Sequence, residues 1–330
     1  MSARVPVVMA VLAVGLVGAL AGLMIGYVPY GPLTVLEGLA GFGDPVATAI
    51  VREVRLPRTL LALEVGAALG LAGAALQGLL RNPLAEPGLI GVSSSAALGA
   101  VIAFHFGLMA WADWALPATA ILGAATTTLV LLLIARRAPG TLTLILSGIA
   151  LSSLAGALTS LALNLAPNPY ALNEMVLWLM GSIKDRSMDE VVLVLPFLLV
   201  GGTLLLATAR GLNALTLGEE TAQTLGIHLG RLRALVILGI ALVVGAAVSV
   251  SGAIGFVGLV VPHMMRPFVG HQPSRLLIPS ALGGAALVTV ADTLARILPT
   301  HQEVMVGVLT AMLGAPFFLT LVLRQWRTMP

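Results

Sequence analysis

From Val5 to Val28 the chain runs 24 residues without a charge, and this is only the first of ten such apolar stretches. The others lie near 57–80, 88–106, 114–135, 141–166, 190–209, 230–252, 256–269, 274–298 and 304–324. Crossing a bilayer as a helix takes about 20 apolar residues. In lipid every backbone polar group must be bonded within the protein, so runs of this length become helices. The sequence therefore predicts an all-α membrane protein, about ten transmembrane helices in a compact bundle. The third and eighth runs are short and are expected to be partial spans packed inside it.

Composition agrees. Of 330 residues, 58% are hydrophobic and 9% charged, against about 25% charged in a soluble domain. The mean hydropathy is +1.05. The first run is longer than the roughly 7–15-residue apolar core of a signal peptide and reads as a retained helix anchored by Arg4. The pI near 9.9 does not indicate nucleic acid, because the basic residues are dispersed between apolar runs rather than clustered. With no cysteine, disulfides, thiolate nucleophiles and Cys-ligated metals are excluded.

Positive charge sets the expected orientation. With the N-terminus inside, the cytoplasmic side carries 11 basic residues: Arg4, Arg81, Arg136, Arg137, Arg210, Arg231, Arg233, Arg266, Arg275, Arg324 and Arg327. The outside carries 6: Arg52, Arg55, Arg58, Lys184, Arg186 and Arg296. Both termini are expected to be cytoplasmic.

Two patterns concern packing. Gly18, Gly22 and Gly26 recur every four residues, as do Gly66 and Gly70, and small residues at this spacing let helices approach closely in lipid. The string Val65–Ala74 parallels Val244–Ala253 at an offset of 179, which Pro83 and Pro262 share. Copies five helices apart run in opposite directions, which predicts an inverted-topology repeat of the kind transporters use. Chance similarity of two Gly/Ala-rich helices is the alternative.

Several chemistries are missing. The lone lysine, Lys184, is not in a phosphate-binding loop, so ATP would be bound by another subunit. Glu64 and Asp292 are the plausible intramembrane carboxylates, and Asp292 stands four residues before Arg296, a helical ion-pair spacing. That weakens an ion-coupled secondary transporter, which needs mid-membrane carboxylates. His105, His228, His263, His271 and His301 lack metal-ligand spacing and read as interfacial or packed; His105 and His301 are expected outside, where a part in handling haem is a minor alternative. Ser93–Ser95 reads as a helix cap rather than as a membrane protease nucleophile.

The segment from Arg210 to Gly226 is polar and water-facing. Thr216 and Glu219 have capping-box spacing. They predict a helix over Leu217 to Leu225, with Gly226 ending it in the left-handed region and a further turn over Leu212 to Leu215 before it. Leu212, Leu215, Leu217 and Leu225 either pack under the bundle or meet a cytoplasmic partner; the residues alone allow both.

Longer strings carry a resemblance. Arg55-Leu56-Pro57-Arg58, Gln77 with Arg81-Asn82-Pro83-Leu84-Ala85-Glu86-Pro87-Gly88-Leu89-Ile90-Gly91-Val92, Trp178-Leu179-Met180-Gly181-Ser182, Leu217-Gly218-Glu219-Glu220-Thr221-Ala222, Gly252 through His263, and Gly314-Ala315-Pro316-Phe317-Phe318 occur in this order. From about Arg52 onward the chain resembles the iron-siderophore, haem and cobalamin permeases of type II ABC importers. The resemblance implies a single transmembrane permease domain over 1–330, with cytoplasmic coupling helices at 210–230. It implies a homodimer in the bacterial inner membrane whose path is lined mainly by the fifth and tenth spans. Two ATPase subunits, holding ATP and Mg, would lie beneath it and a periplasmic binding protein above. The chain itself is expected to hold no cofactor or metal and to catalyse no covalent chemistry. Residue by residue, the resemblance places ATPase docking at Leu215, Leu217, Gly218, Glu219, Glu220, Leu225 and Gly226. It places binding-protein docking at Arg55, Arg58 and Arg296, and a cytoplasmic gate at Asn82, Leu84 and Thr141. Where relatives often have Ser-Thr-Ser near this gate, this chain has Gly140-Thr141-Leu142. An iron chelate, siderophore or haem, is the expected cargo, with cobalamin the alternative.

Overall fold

Each run set apart by the sequence folds as a helix in the computed structural model, which describes residues 4–112, 114–138, 140–300 and 302–326. His301 and Arg327 lie outside the described residues, as do the side chains of Arg4 and Arg324. In chain order the helices are α1 (Arg4–Met24), α2 (Pro32–Ala40), α3 (Pro45–Ala49), α4 (Leu56–Leu80), α5 (Val92–His105), α6 (Ala115–Arg137), α7 (Thr141–Asn164), α8 (Pro169–Leu179), α9 (Met188–Ala207), α10 (Ala209–Leu215), α11 (Glu219–Thr224), α12 (Leu229–Ser251), α13 (Val257–Val269), α14 (Pro273–Ile297) and α15 (Val306–Trp326). No strand occurs among the described residues. The ten runs correspond to α1, α4–α7, α9 and α12–α15. By length and composition seven helical stretches qualify as membrane spans, while α5, α13 and α15 are shorter apolar helices. Ten spanning helices is therefore an upper reading of the count.

The bundle is built around α4 and α12, whose apolar windows are both 78% buried. Apolar side chains gain little by leaving lipid for one another, so close backbone approach must hold the helices together. The contact of α4 with α14 shows this most directly. A Cβ placed on Gly66 would lie 2.2 Å from the Gly284 carbonyl oxygen, and one on Gly284 would lie 2.1 Å from that of Gly66. One turn on, Gly70 stands as tightly against the Ser280 carbonyl. On the other side of α14, Gly15 of α1 meets Ala286, Gly18 meets Thr289 and Val290, and Gly22 meets Thr59 and Thr293. The glycine spacing read in the sequence is thus a packing code.

The two similar strings lie on α4 and α12. Each is followed by a short helix, α5 or α13, and then a long one, α6 or α14. The prolines at matching offset do not share a context: Pro83 sits in the turn after α4, whereas Pro262 is inside α13. Only the helix strings and the order of lengths repeat.

Two local features depart from expectation. The first run stops being helical at Met24, not Val28. Its last carbonyls are taken by arginines from elsewhere, and Pro29 cannot continue the hydrogen-bond ladder. Ahead of α4, a π-helical turn over Ile50–Arg55 joins α3 to α4, giving one continuous helical stretch from Pro45 to Leu80. Such turns insert an extra residue and re-aim the side chains that follow.

Candidate functional site

At the end of the bundle where α1 finishes, the π turn and the first turn of α4 bring Arg55 and Arg58 beside Arg296 of α14. All three line one cavity of about 330 Å³, together with Tyr27, Lys184, Asp185 and Glu303. None is a free cation. Arg55 Nη1 donates to the carbonyls of Leu23 and Met24 at 2.9 Å each, and Nη2 donates to that of Val28. Its guanidinium sits 4.5 Å over the Tyr30 ring. Arg296 Nη1 donates to the Gly22 carbonyl at 2.6 Å. These two arginines satisfy the orphan carbonyls at the C-terminus of α1, where positive charge also suits the helix dipole.

Arg58 is different. It is 8% exposed, and its bonds go to side chains. One edge of its fork, Nε and Nη2, donates to Asp292 Oδ1 at 2.9 and 2.7 Å. The other edge, Nη1 and Nη2, meets Glu303, with Nη1 3.3 Å from Oε2. Asp292 Oδ2 accepts in turn from Arg296 Nε at 3.1 Å. The Asp292–Arg296 pair expected from the four-residue spacing is present, but it is half of a four-membered cluster that ties α4, α14 and the segment before α15. Glu303 was not singled out in the sequence; no local signal marks it.

At the opposite end, α10 and α11 occupy the segment where two short helices are expected. The capping box does not form. Thr216 Oγ1 donates to the Asn213 carbonyl, Gly218 is the N-cap of α11, and Glu219 reaches away from the helix. Glu219 takes both 2.8 Å bonds from Arg233 Nη2 of α12 and a 3.2 Å bond from the Thr141 hydroxyl at the start of α7. Burial raises the Glu219 pKa, but Arg233, the Thr141 hydroxyl and the Arg81 charge outweigh it and hold the carboxyl below its ordinary value. Gly226 adopts φ +83°, the left-handed end expected for it. The four leucines divide. Leu212 and Leu215 are packed in the core, Leu215 being only 3% exposed, whereas Leu217 and Leu225 are 63% and 61% exposed. Leu215 is thus removed from the presented docking set, because one turn of α10 points it into the bundle; Gly218, Glu220 and Gly226 remain at least partly accessible.

The proposed gate residues are held separately. Asn82 Oδ1 accepts from the Leu84 N–H at 2.9 Å, forming a side-chain turn. Among the described residues no bond joins Asn82 or Leu84 to Thr141. The loop after α4 is fastened instead by Gln77, which donates to the carbonyls of Ala85, Gly258 and Leu259 and accepts from Arg266 at 2.7 Å. Glu86 adds a 2.6 Å bond from the Phe256 N–H. Ser93–Ser95 do not cap α5, whose N-cap is Gly91; they lie in its first turn, and Ser95 accepts from Thr127. His105 and His263 pack edge-on against Phe106 and Phe317. No group of three metal-ligating side chains occurs among the described residues.

Between the two ends, α7 is the least buried span, with 17% of its apolar window covered. Its exposed positions include Ser153, Gly156, Ala157, Ser160 and Asn164, interleaved with Leu142, Leu146, Ile149, Leu154, Leu158 and Leu161. The open face of α9 carries Val192, Leu195, Leu199, Val200 and Leu206. Large aliphatic residues suit lipid tails, whereas hydroxyls and small residues suit protein or water; α7 presents both kinds.

The bundle is that of a multi-span membrane protein, with a sparsely covered span and charged clusters at both ends. The family model for the FecCD transport family matches residues 3–324, and the chain belongs to that family. It is 41% identical over 295 residues to the ABC transporter permease protein YvrB of Bacillus subtilis, covering 88% of this chain and 83% of that one. It is 42% identical to the cobalamin import system permease protein BtuC of Halobacterium salinarum (90% and 80% covered). It is also 42% identical to the hemin transport system permease protein HmuU of Yersinia pestis (83% of each covered). A solved structure described as an inward-facing conformation of a metal-chelate type ABC transporter superposes with a TM-score of 0.87 at 35% identity, over 97% of this chain and 99% of that one.

Proposed function

We propose that the chain is one half of a homodimeric permease in a binding-protein-dependent importer of the bacterial inner membrane, both termini cytoplasmic. A separate subunit hydrolyses ATP. The cargo is an iron chelate, siderophore or haem; cobalamin is the alternative that the names of its relatives keep open. The observation that carries this reading is the Glu219 clasp. An exposed pair, Leu217 and Leu225, flanks a short helix, α11, whose first residue is bonded to both α12 and α7. A subunit seated on that pair would move Glu219, and through Thr141 the start of α7. The sparse cover of α7, on which Ser153 and Ser160 are exposed among leucines, supports its place beside the second copy and the cargo path, with α15 opposite. Asn82, Leu84 and Thr141 then narrow the path at the cytoplasmic side, and the pathway opens to one side at a time. Arg58, with Arg55 and Arg296 behind it, receives the binding protein at the outer mouth.

Co-purification tests the reading. The solubilised chain should hold its ATPase subunit, and Leu217→Asp with Leu225→Asp, or Glu219→Arg with Glu220→Arg, should lose it. If no ATPase is ever retained and the reconstituted chain alone moves solute down an ion gradient, the importer reading is wrong. Competition between a ferric siderophore, haem and cobalamin for uptake by the whole complex then identifies the cargo.

A further inference from the structure

The three outer arginines are not equivalent. Arg55 and Arg296 spend their guanidinium N–H groups on carbonyls of α1 and of Val28 just beyond it and, for Arg296, on Asp292. These partners belong to the bundle itself and cannot leave without uncapping α1. Arg58 alone has one fork edge on a fixed partner, Asp292, and the other on a residue of a connecting segment, Glu303. Glu303 lies between α14 and α15, three residues before α15 begins.

We propose that Glu303 is an internal stand-in for the carboxylate of the docking partner, and that docking exchanges the one for the other on Arg58. This rests on the reading that Arg58 receives the binding protein. Two parallel N–H donors on a flat fork recognise one carboxylate at a time. The edge that an incoming acid needs is already filled. The charges balance as they stand, two arginines against Asp292 and Glu303. If Glu303 simply left, a buried positive charge would lack its partner, which is strongly unfavourable. Glu303 therefore leaves as another carboxylate arrives, and the cluster stays neutral throughout. Asp292 keeps Arg58 in place during the exchange, because its second oxygen is held by Arg296. Lys184 lines the same cavity 3.9 Å from Asp185, so that pair adds no net charge to the approach.

The exchange has a mechanical result. The start of α15 is pinned at two points, by Glu303 to Arg58 and by the Gly307 N–H to the Gly181 carbonyl at 2.9 Å. Docking removes the first pin and leaves the second, so the arrival of the loaded partner loosens the segment that leads into α15.

The chain has no cysteine, so a single Gln302→Cys carries a spin label next to Glu303 without background. The permease–ATPase complex in nanodiscs is titrated with its binding protein. In the wild-type background the label should become more mobile on docking, and Glu303→Gln should show that mobility with no binding protein present. Glu303→Gln should also tighten docking roughly fivefold to thirtyfold, the factor expected when a competing ion pair is removed. Arg58→Gln should lose docking. If Arg58→Gln abolishes docking while Glu303→Gln leaves both affinity and mobility unchanged, Arg58 is a docking residue and the exchange is refuted. If Arg58→Gln docks normally in a complex that still retains its ATPase, the docking reading itself is wrong and the exchange falls with it.

Discussion

Asp292 is the hinge of the arginine cluster, and removing its charge tests the cluster as a structural unit. It is 1% exposed and accepts from two arginines. In Asp292→Asn the shape is kept, but Arg58 and Arg296 share only Glu303. Breaking a buried pair by deleting one partner costs about 3–5 kcal/mol, because a charge is left buried and unbalanced. The lost balance can be restored by deleting a positive charge. In Asp292→Asn with Arg296→Gln, Arg58 still pairs with Glu303, and what remains lost is the capping of the Gly22 and Ile25 carbonyls, worth about 1 kcal/mol per hydrogen bond. The double variant should therefore be more stable than Asp292→Asn alone by about 1–3 kcal/mol, a coupling larger than the ~0.5 kcal/mol scatter of independent sites. Tryptophan fluorescence during thermal unfolding in detergent reads it, since four tryptophans are present. A single variant within ~0.5 kcal/mol of wild type, or a double variant worse than the sum of its singles, would refute the picture of a charge-balanced buried cluster.

Three other outcomes follow from the geometry. Gly284→Ala places a Cβ 2.1 Å from the Gly66 carbonyl oxygen and should lower stability by about 1–3 kcal/mol or more, while Gly156→Ala, with nothing within 4 Å, should leave thermal unfolding unchanged. The Glu219 carboxyl is held below its ordinary value of 4.5, first against burial and then by Arg233, Thr141 and Arg81. Its contribution is therefore complete above pH 4.5 and lost as pH falls through the lower folded-state value. The stability gap between wild type and Glu219→Gln should be flat above that pH and close below it, and the gap should be small, under about 1 kcal/mol, because the side chain is 36% exposed. Glu64 has a buried oxygen without a partner; Glu64→Gln should leave ATP-driven uptake intact, and a loss of uptake restored by altered proton or sodium gradients would favour an ion-coupled mechanism.

What could be read from the sequence was whatever depends on short spacing. The ten helices follow from runs near membrane length, the close-packing faces of α1 and α4 (though not their partner α14) from glycines four apart, the Asp292–Arg296 pair from one helical turn, and the Gly226 end from its left-handed preference. What could not be read joins distant residues or turns on a single register step. Arg58 and Glu303 are 245 positions apart, and no local pattern pairs them. Leu215 and Leu217 differ by two positions, yet one is core and the other is exposed, because α10 ends between them. The Thr216 cap failed since Glu219 has a stronger partner in Arg233, an ionic bond in place of a neutral one. The π turn at Ile50–Arg55 left no mark in the pattern of apolar residues.

The glycine contacts between α4 and α14 also determine where the molecule can be soft. Carbonyl oxygens and Cα atoms meet there at two successive turns, so a slide of one residue would drive a side chain into backbone. A joint of that kind has no neighbouring register to move to, and the pair behaves as a stator. Conformations of the transporter can be superposed on α4 and α14 as a fixed frame, and the displacements that remain in the other helices would then describe the transport stroke itself.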